Sequence, residues 1–174
     1  ASVLGPAVRR TWLPNPAPAH LVASRAGRRP TLPPHIGTVV ETAEDVARVL
    51  DGSRIGLCLD TGHLLIGGAD PVAIAAEHAR RIRHTHLKDV DAAWAKRVQS
   101  GEVTYTEAVR QGMYRPLGQG DVDIAAIVGS IEGVGYGGWY GLEQDTSLTR
   151  PPGSGEAGRR AAPGGAAEGV NAGQ

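Results

Sequence analysis

Residues 42–60 read TAEDVARVLDGSRIGLCLD, and their pattern decides the fold. Thr42 stands three residues before Asp45 in the manner of a capping box, and Val46, Val49 and Leu50 follow at helical spacing. Ile55 to Leu59 is a five-residue apolar run, too short for a helix and bounded by Gly52 and Gly62. Such a run suits a strand buried on both faces, the habit of parallel sheets. Asp60 closes it. A helix followed directly by a doubly buried strand is half of a β/α repeat.

Working outward, the repeat recurs. Upstream, the apolar run His35 to Val40 is expected to be the strand that feeds the first helix. Downstream, a polar Gly-rich loop leads to Asp70-Pro71, an N-cap and first-turn pair, and a helix to about Arg81. Ile82 to Lys88 is the third strand. Ala92 to Gln111 is helical but broken at Gly101, which predicts two short helices lying over one end of the sheet. Ile124, Ile127, Val128 and Ile131 form a sheet-covering stripe, and a Gly-rich turn leads to a fourth strand, Trp139 to Leu142. The fold class is therefore α/β, about four β/α units with parallel strands. A complete (β/α)₈ barrel takes about 250 residues, so a chain of 174 is expected to supply only part of one.

Composition sets the limits. Of the 174 residues 37 are Gly or Pro and only 7 are aromatic, so the core is small. A net charge of zero excludes a uniformly basic nucleic-acid binder, and a single cysteine, Cys58, excludes a disulfide scaffold. No apolar run approaches the ~18 residues that span a bilayer, and a cytoplasmic location is the expectation. The charge divides as +5 over residues 1–34, −6 over 35–147 and +1 over 148–174. With seven prolines and no apolar periodicity, 1–34 reads as irregular or disordered; 148–174 reads as a flexible Gly/Ala/Pro-rich tail. The folded part is expected at 35–147.

In a parallel α/β sheet, loops at the carboxyl ends of the strands share one rim. Four clusters fall there: Glu41, Asp60 to His63, His84 to Asp89, and Glu143 to Asp145. A mixed carboxylate and imidazole set favours a divalent Mn, Co, Mg or Zn ion. Asp60 alone would equally cap a turn. His84 and His86 share one strand face, and His86, nearer the strand end, is the preferred ligand.

The ordered strings LCLDTGHLLIGGADP, RIRHTHLKD, YRPLGQGDVD and GYGGWYGLEQD resemble the sugar phosphate isomerase/epimerase superfamily, with its xylose isomerase-like barrel, and within it the inosose dehydratases. The resemblance covers residues 35–147 and implies a partial (β/α)₈ TIM barrel corresponding to the last four strands. It implies a metal site on Asp60, His86 and Glu143, with Glu41 the candidate fourth ligand. Catalytic roles then fall to His63, Lys88 and Glu143, and substrate contacts to His35, His63, Lys88 and Asp89. The implied reaction is metal-assisted proton abstraction from a polyol ketone, the partner a small sugar or inositol derivative rather than a membrane or nucleic acid. Two rivals stand beside it: a non-catalytic barrel remnant, which would need a second copy or a second barrel half, and a metal-dependent phosphodiesterase of the same superfamily. Where relatives read Phe-His-Pro-His, this chain reads Leu32-Pro33-Pro34-His35. A one-base slip in C-rich codons converts one reading to the other, so residues 1–34 are either a frame-shifted extension or an unrelated one.

Overall fold

β2, Gly56–Asp60, is the centre of the molecule, because its neighbours on both sides run parallel to it. The computed structural model describes residues 23, 25–27, 29–145 and 157–160. The main sheet has the order β1-β2-β3-β6-β7, with β1 at Thr31–Leu32, β3 at Ile82–Leu87, β6 at Trp139–Leu142 and β7 at Ala157–Arg160. The first four are parallel, and β7 runs antiparallel to β6. A separate two-stranded antiparallel ribbon joins β4, Asp89–Val90, to β5, Tyr114–Arg115.

Helices cover the sheet as the apolar spacing requires. α1, Ala43–Gly52, opens with the Thr42–Asp45 capping box and buries Val46, Val49 and Leu50. α3, Pro71–His78, is capped by the Asp70 carboxylate and extended by a short 3₁₀ turn at Ala79–Arg81. It packs against α6, Ile124–Glu132, whose Ile127 and Ile131 are fully buried. The broken segment forms α4, Ala92–Gln99, and α5, Tyr105–Arg110, with Gly101 between them at a left-handed φ of 75°. Each large aliphatic side chain so enclosed contributes about 1.5–3 kcal/mol.

Three expectations are corrected. His35 to Val40 is a loop, not a strand: Gly37 turns at φ 81° and the His35 amide donates to the Val40 carbonyl at 2.9 Å. The strand lies earlier, at Thr31–Leu32, where flanking prolines are tolerated because only one side of this edge strand needs its hydrogen bonds. Part of 1–34, read as irregular, thus joins the sheet, and β7 likewise falls within 148–174, read as a flexible tail. Finally, the loop after Asp60 is a helix, α2, Thr61–Ile66, which buries Leu64 and Ile66. Of the two extensions, residues 1–22, 24, 28, 148–156 and 161–174 lie outside the described part of the chain.

α2 ends at Gly67, whose amide donates to the His63 carbonyl at 2.9 Å. A Cβ at Gly67 would run into the backbone carbonyl of Glu41. Because both partners are main chain, neither can turn aside. Gly67→Ala is expected to cost about 1–3 kcal/mol, read as a lower urea midpoint; an unchanged midpoint would show that the Glu41 loop yields freely.

Candidate active site

Register puts the chemistry together. Cys58 pairs with His84 and Asp60 with His86 across β2 and β3, and His86 pairs with Gly141 on β6. Side chains alternate along a strand, so Cys58, Asp60, His84 and His86 project from one face in two layers. Asp60 and His86 form the layer nearer the carboxyl ends. The Asp60 carboxylate, 1% exposed, accepts the His63 amide at 2.9 Å through Oδ1 and thereby caps α2. Its Oδ2 lies 3.5 Å from His86 Nδ1 and 3.3 Å from Lys88 Nζ. Glu143, just beyond β6, brings Oε1 to 3.4 Å from His86 Nε2 and Oε2 to 3.0 Å from Lys88 Nζ. Main-chain bonding fixes it there, since its amide donates to the Leu87 carbonyl at 3.1 Å.

One ligand atom each from Asp60, His86 and Glu143 lies within 4.8 Å of the others. Donors on one ion with bonds of about 2.0–2.2 Å stand roughly 3–3.5 Å apart, so small side-chain rotations suffice to close this trio on a cation. Two carboxylates and an imidazole are an appropriate donor set for a divalent ion, and His86 and Glu143 are only partly buried.

The electrostatics are those of a crowded ion cluster. Burial opposes the charge on Asp60, yet the hydrogen bond from His86, the His63 and Lys88 charges and the His63 amide together hold its pKa below the ordinary value. His86 is pushed up to about 10, chiefly by Asp60, with Cys58 and Glu143 adding to it against burial. His63 moves the other way, down to about 4, because burial and the Lys88 charge outweigh Asp60. Lys88 is raised: burial resists its charge, but Asp60, Asp145 and Glu143 prevail.

These opposed shifts give the metal-free chain a stability optimum. His63 protonates near pH 6.5 when unfolded but only near 4 in the fold, so stability rises as pH climbs between those values. His86 has the raised value, about 10 against 6.5, so its contribution is complete below 6.5 and disappears as pH rises toward 10. The melting temperature is expected to peak near pH 6.5. A value still rising between about pH 7 and 9 would contradict the His86 assignment.

The fold coincides with that of a known family. A match to the xylose isomerase-like TIM barrel family extends over residues 16–168. The chain belongs to that family. Rhizopine catabolism protein MocC of Rhizobium meliloti is 39% identical over 121 residues, 67% of this chain and 37% of that protein. An inosose dehydratase of Geobacillus thermodenitrificans is 34% identical over 122 residues, 67% of this chain and 41% of the enzyme. The chain therefore spans about two fifths of the length of the curated relatives it matches. A xylose isomerase-like TIM barrel protein from Mycobacterium smegmatis, crystallised in complex with magnesium, superposes with a TM-score of 0.57 at 21% identity, over 85% of this chain and 47% of that one. That likeness supports the barrel-type fold. Among the described residues the sheet is open rather than closed into a barrel, and no described helix is long and apolar enough to cross a membrane.

In this xylose isomerase-like chain, most of the residues singled out from sequence gather around Lys88. His63 places Nε2 3.2 Å from Lys88 Nζ, and the His35 ring stacks on the His63 ring with centroids 3.6 Å apart. Glu41 is not brought in: it lies outside the trio, its loop held at Asp45, whose carboxylate receives the Glu41 amide at 3.5 Å. Asp89 is turned to a neighbouring loop. Its Oδ2 accepts the amides of Gly118 and Gly120, and its Oδ1 those of Val90 and Val122, at 2.8 to 3.1 Å. Both oxygens thus organise the GQGDV loop.

Other contributors have no assigned role in the sequence reading, although Thr61 and Asp145 fall within its rim clusters. Thr61 latches Lys88 by donating to its carbonyl at 2.6 Å and accepting its amide at 2.8 Å. Asp145 adds an oxygen 3.4 Å from Lys88 Nζ. Tyr105 donates to Asp145 at 3.3 Å and meets the Tyr114 hydroxyl at 3.0 Å, walling the His63 side. Tyr105 and Asp145 are forty residues apart, so no local pattern signals their contact.

Proposed function

We propose that this chain takes part in metal-assisted acid/base chemistry on a polyhydroxylated ketone, with loss of water from an inosose as the reaction. The observation that carries it is the convergence of Asp60, His86 and Glu143, from the ends of three strands, to within 4.8 Å. MocC and the inosose dehydratases among its relatives point to inositol-like substrates.

Asp60, His86 and Glu143 would hold the ion. A bound divalent cation supplies Lewis acidity toward the ketone oxygen and a neighbouring hydroxyl. His63 supplies the proton acceptor: with its pKa down at about 4 it is neutral near pH 7, and its Nε2, which accepts from Lys88 Nζ at 3.2 Å, would take the proton as the substrate displaces that contact. It takes the proton from the carbon beside the carbonyl. The electron pair left behind expels the hydroxyl on the next carbon, and a weakly basic His63 readily returns its proton to that leaving oxygen, which departs as water. Lys88 stays charged, held by Asp60, Glu143 and Asp145, and its positive charge stabilises the enolate oxygen.

The test uses the dialysed chain. Calorimetric titration with Mn²⁺ is expected to show one ion per chain, and incubation with an inosose and Mn²⁺ to yield a product lighter by one water. An ion that binds without any product would remove the dehydratase reading, and no ion at all would remove metal assistance altogether.

A further inference from the structure

One layer below the carboxylate trio lie Cys58 and His84, two donors that the chemistry above leaves unused. Cys58 on β2 and His84 on β3 are register partners, and they project from the same face as Asp60 and His86. Cys58 is a free thiol, only 3% exposed. The His84 and His86 rings meet edge to face with centroids 5.0 Å apart. One ligand atom each from Cys58, His84 and His86 lies within 4.8 Å of the others, as in the trio above. Tetrahedral bonds of about 2.0–2.3 Å place sulfur and nitrogen donors roughly 3.3–3.8 Å apart, so side-chain adjustment is again enough.

The two donor sets differ in kind. Two carboxylates with one imidazole suit hard ions such as Mg²⁺ or Mn²⁺, whereas one thiolate with two imidazoles suits Zn²⁺ or Cd²⁺. His86 belongs to both sets. We infer that Cys58, His84 and His86 form a second cation site, selective for thiophilic divalent ions, and that its occupation is exclusive of an ion on Asp60, His86 and Glu143. Exclusivity follows from charge. Two dications in adjacent layers would have only a neutral ring between them, without the bridging carboxylate that screens paired ions. A thiophilic ion therefore withdraws His86 from the upper site and acts as an inhibitor rather than as a substitute cofactor. The exclusivity rests on the metal-site reading above; the existence of the lower site does not.

Titrating the dialysed full chain with Cd²⁺ tests this, since a cadmium–thiolate bond has an ultraviolet charge-transfer band that carboxylate or imidazole ligation lacks. The band is expected to saturate at one ion per chain, to vanish in Cys58→Ser, and to persist in Asp60→Asn. In His84→Gln the Cd²⁺ affinity is expected to fall at least about tenfold. His84 is half-buried, so this variant remains informative if Cys58→Ser fails to fold. No band in the wild-type chain, or an unchanged affinity in His84→Gln, overturns the site. Mn²⁺ bound beforehand is expected to be released as the band grows, followed by its electron paramagnetic resonance signal. Retention of Mn²⁺ alongside Cd²⁺ overturns the shared ligand. A chain that never binds Mn²⁺ but gives the band refutes the upper site and leaves the lower one standing.

Discussion

Asp60→Asn is expected to weaken Mn²⁺ binding by about 100-fold or more. Changing a group that merely orients a ligand already costs 10–100-fold in affinity, and Asp60 is placed to be a ligand itself. The substitution removes the anion, yet asparagine keeps an oxygen where Oδ1 receives the His63 amide. Asparagine is as good an N-cap as aspartate. α2 should therefore stay in place, so that lost affinity reports the ion and not the helix. Calorimetry on the dialysed chain, with circular dichroism as the control for folding, decides it. Affinity within threefold of wild type would mean that the Asp60 carboxylate serves only its ion pairs with His86 and Lys88.

The largest effect on stability is expected at Asp89→Ala. Four backbone amides, those of Val90, Gly118, Gly120 and Val122, lose their common acceptor. Each buried donor left unpaired costs about 1–3 kcal/mol. Since Gly118 and Gly120 lie in a partly exposed loop where water can replace the carboxylate, the total is expected to be about 3–5 kcal/mol. That corresponds to a fall in melting temperature of roughly 10 °C or more. Asp89→Asn, retaining one oxygen, should lose about half as much. Loss of these four bonds also loosens β4 and β5, and hence the Tyr114 wall of the site. A urea midpoint for the alanine variant equal to wild type would contradict this assignment.

Asp89 also shows where reading a sequence stops. HLKD at the end of a strand and GQGDVD before the last helix are legible as two separate motifs. Their relation is that of a carboxylate to the amides of a loop some thirty residues away. No side-chain pattern encodes that, because main-chain amides are the same for every residue type. His35 to Val40 was misread for a related reason. Its apolar content suits a strand, but Gly37 at a left-handed φ and the His35–Val40 hydrogen bond close it into a loop. Local hydrogen bonding of that sort competes with sheet pairing at a cost too small for composition to reveal. The helix α2 was missed because Asp60 was read as the end of a strand and the glycines as a loop, although the same carboxylate is its N-cap.

What the linear sequence determined by itself was the alternation of helices and strands, the Thr42 and Asp70 caps, the parallel sheet, and three acid- and imidazole-bearing clusters at strand ends. These follow from period, capping chemistry and short apolar runs, all of them local properties of the chain. Only the tertiary structure decided which rim residues meet. The register of Asp60 with His86 and of His86 with Gly141 draws Glu143 in, and leaves Glu41 outside the trio. The difference is physical. A strand's own pattern chooses which face a side chain takes, but its partner's register chooses the neighbour it finds there, and that register is set by the burial of the whole sheet.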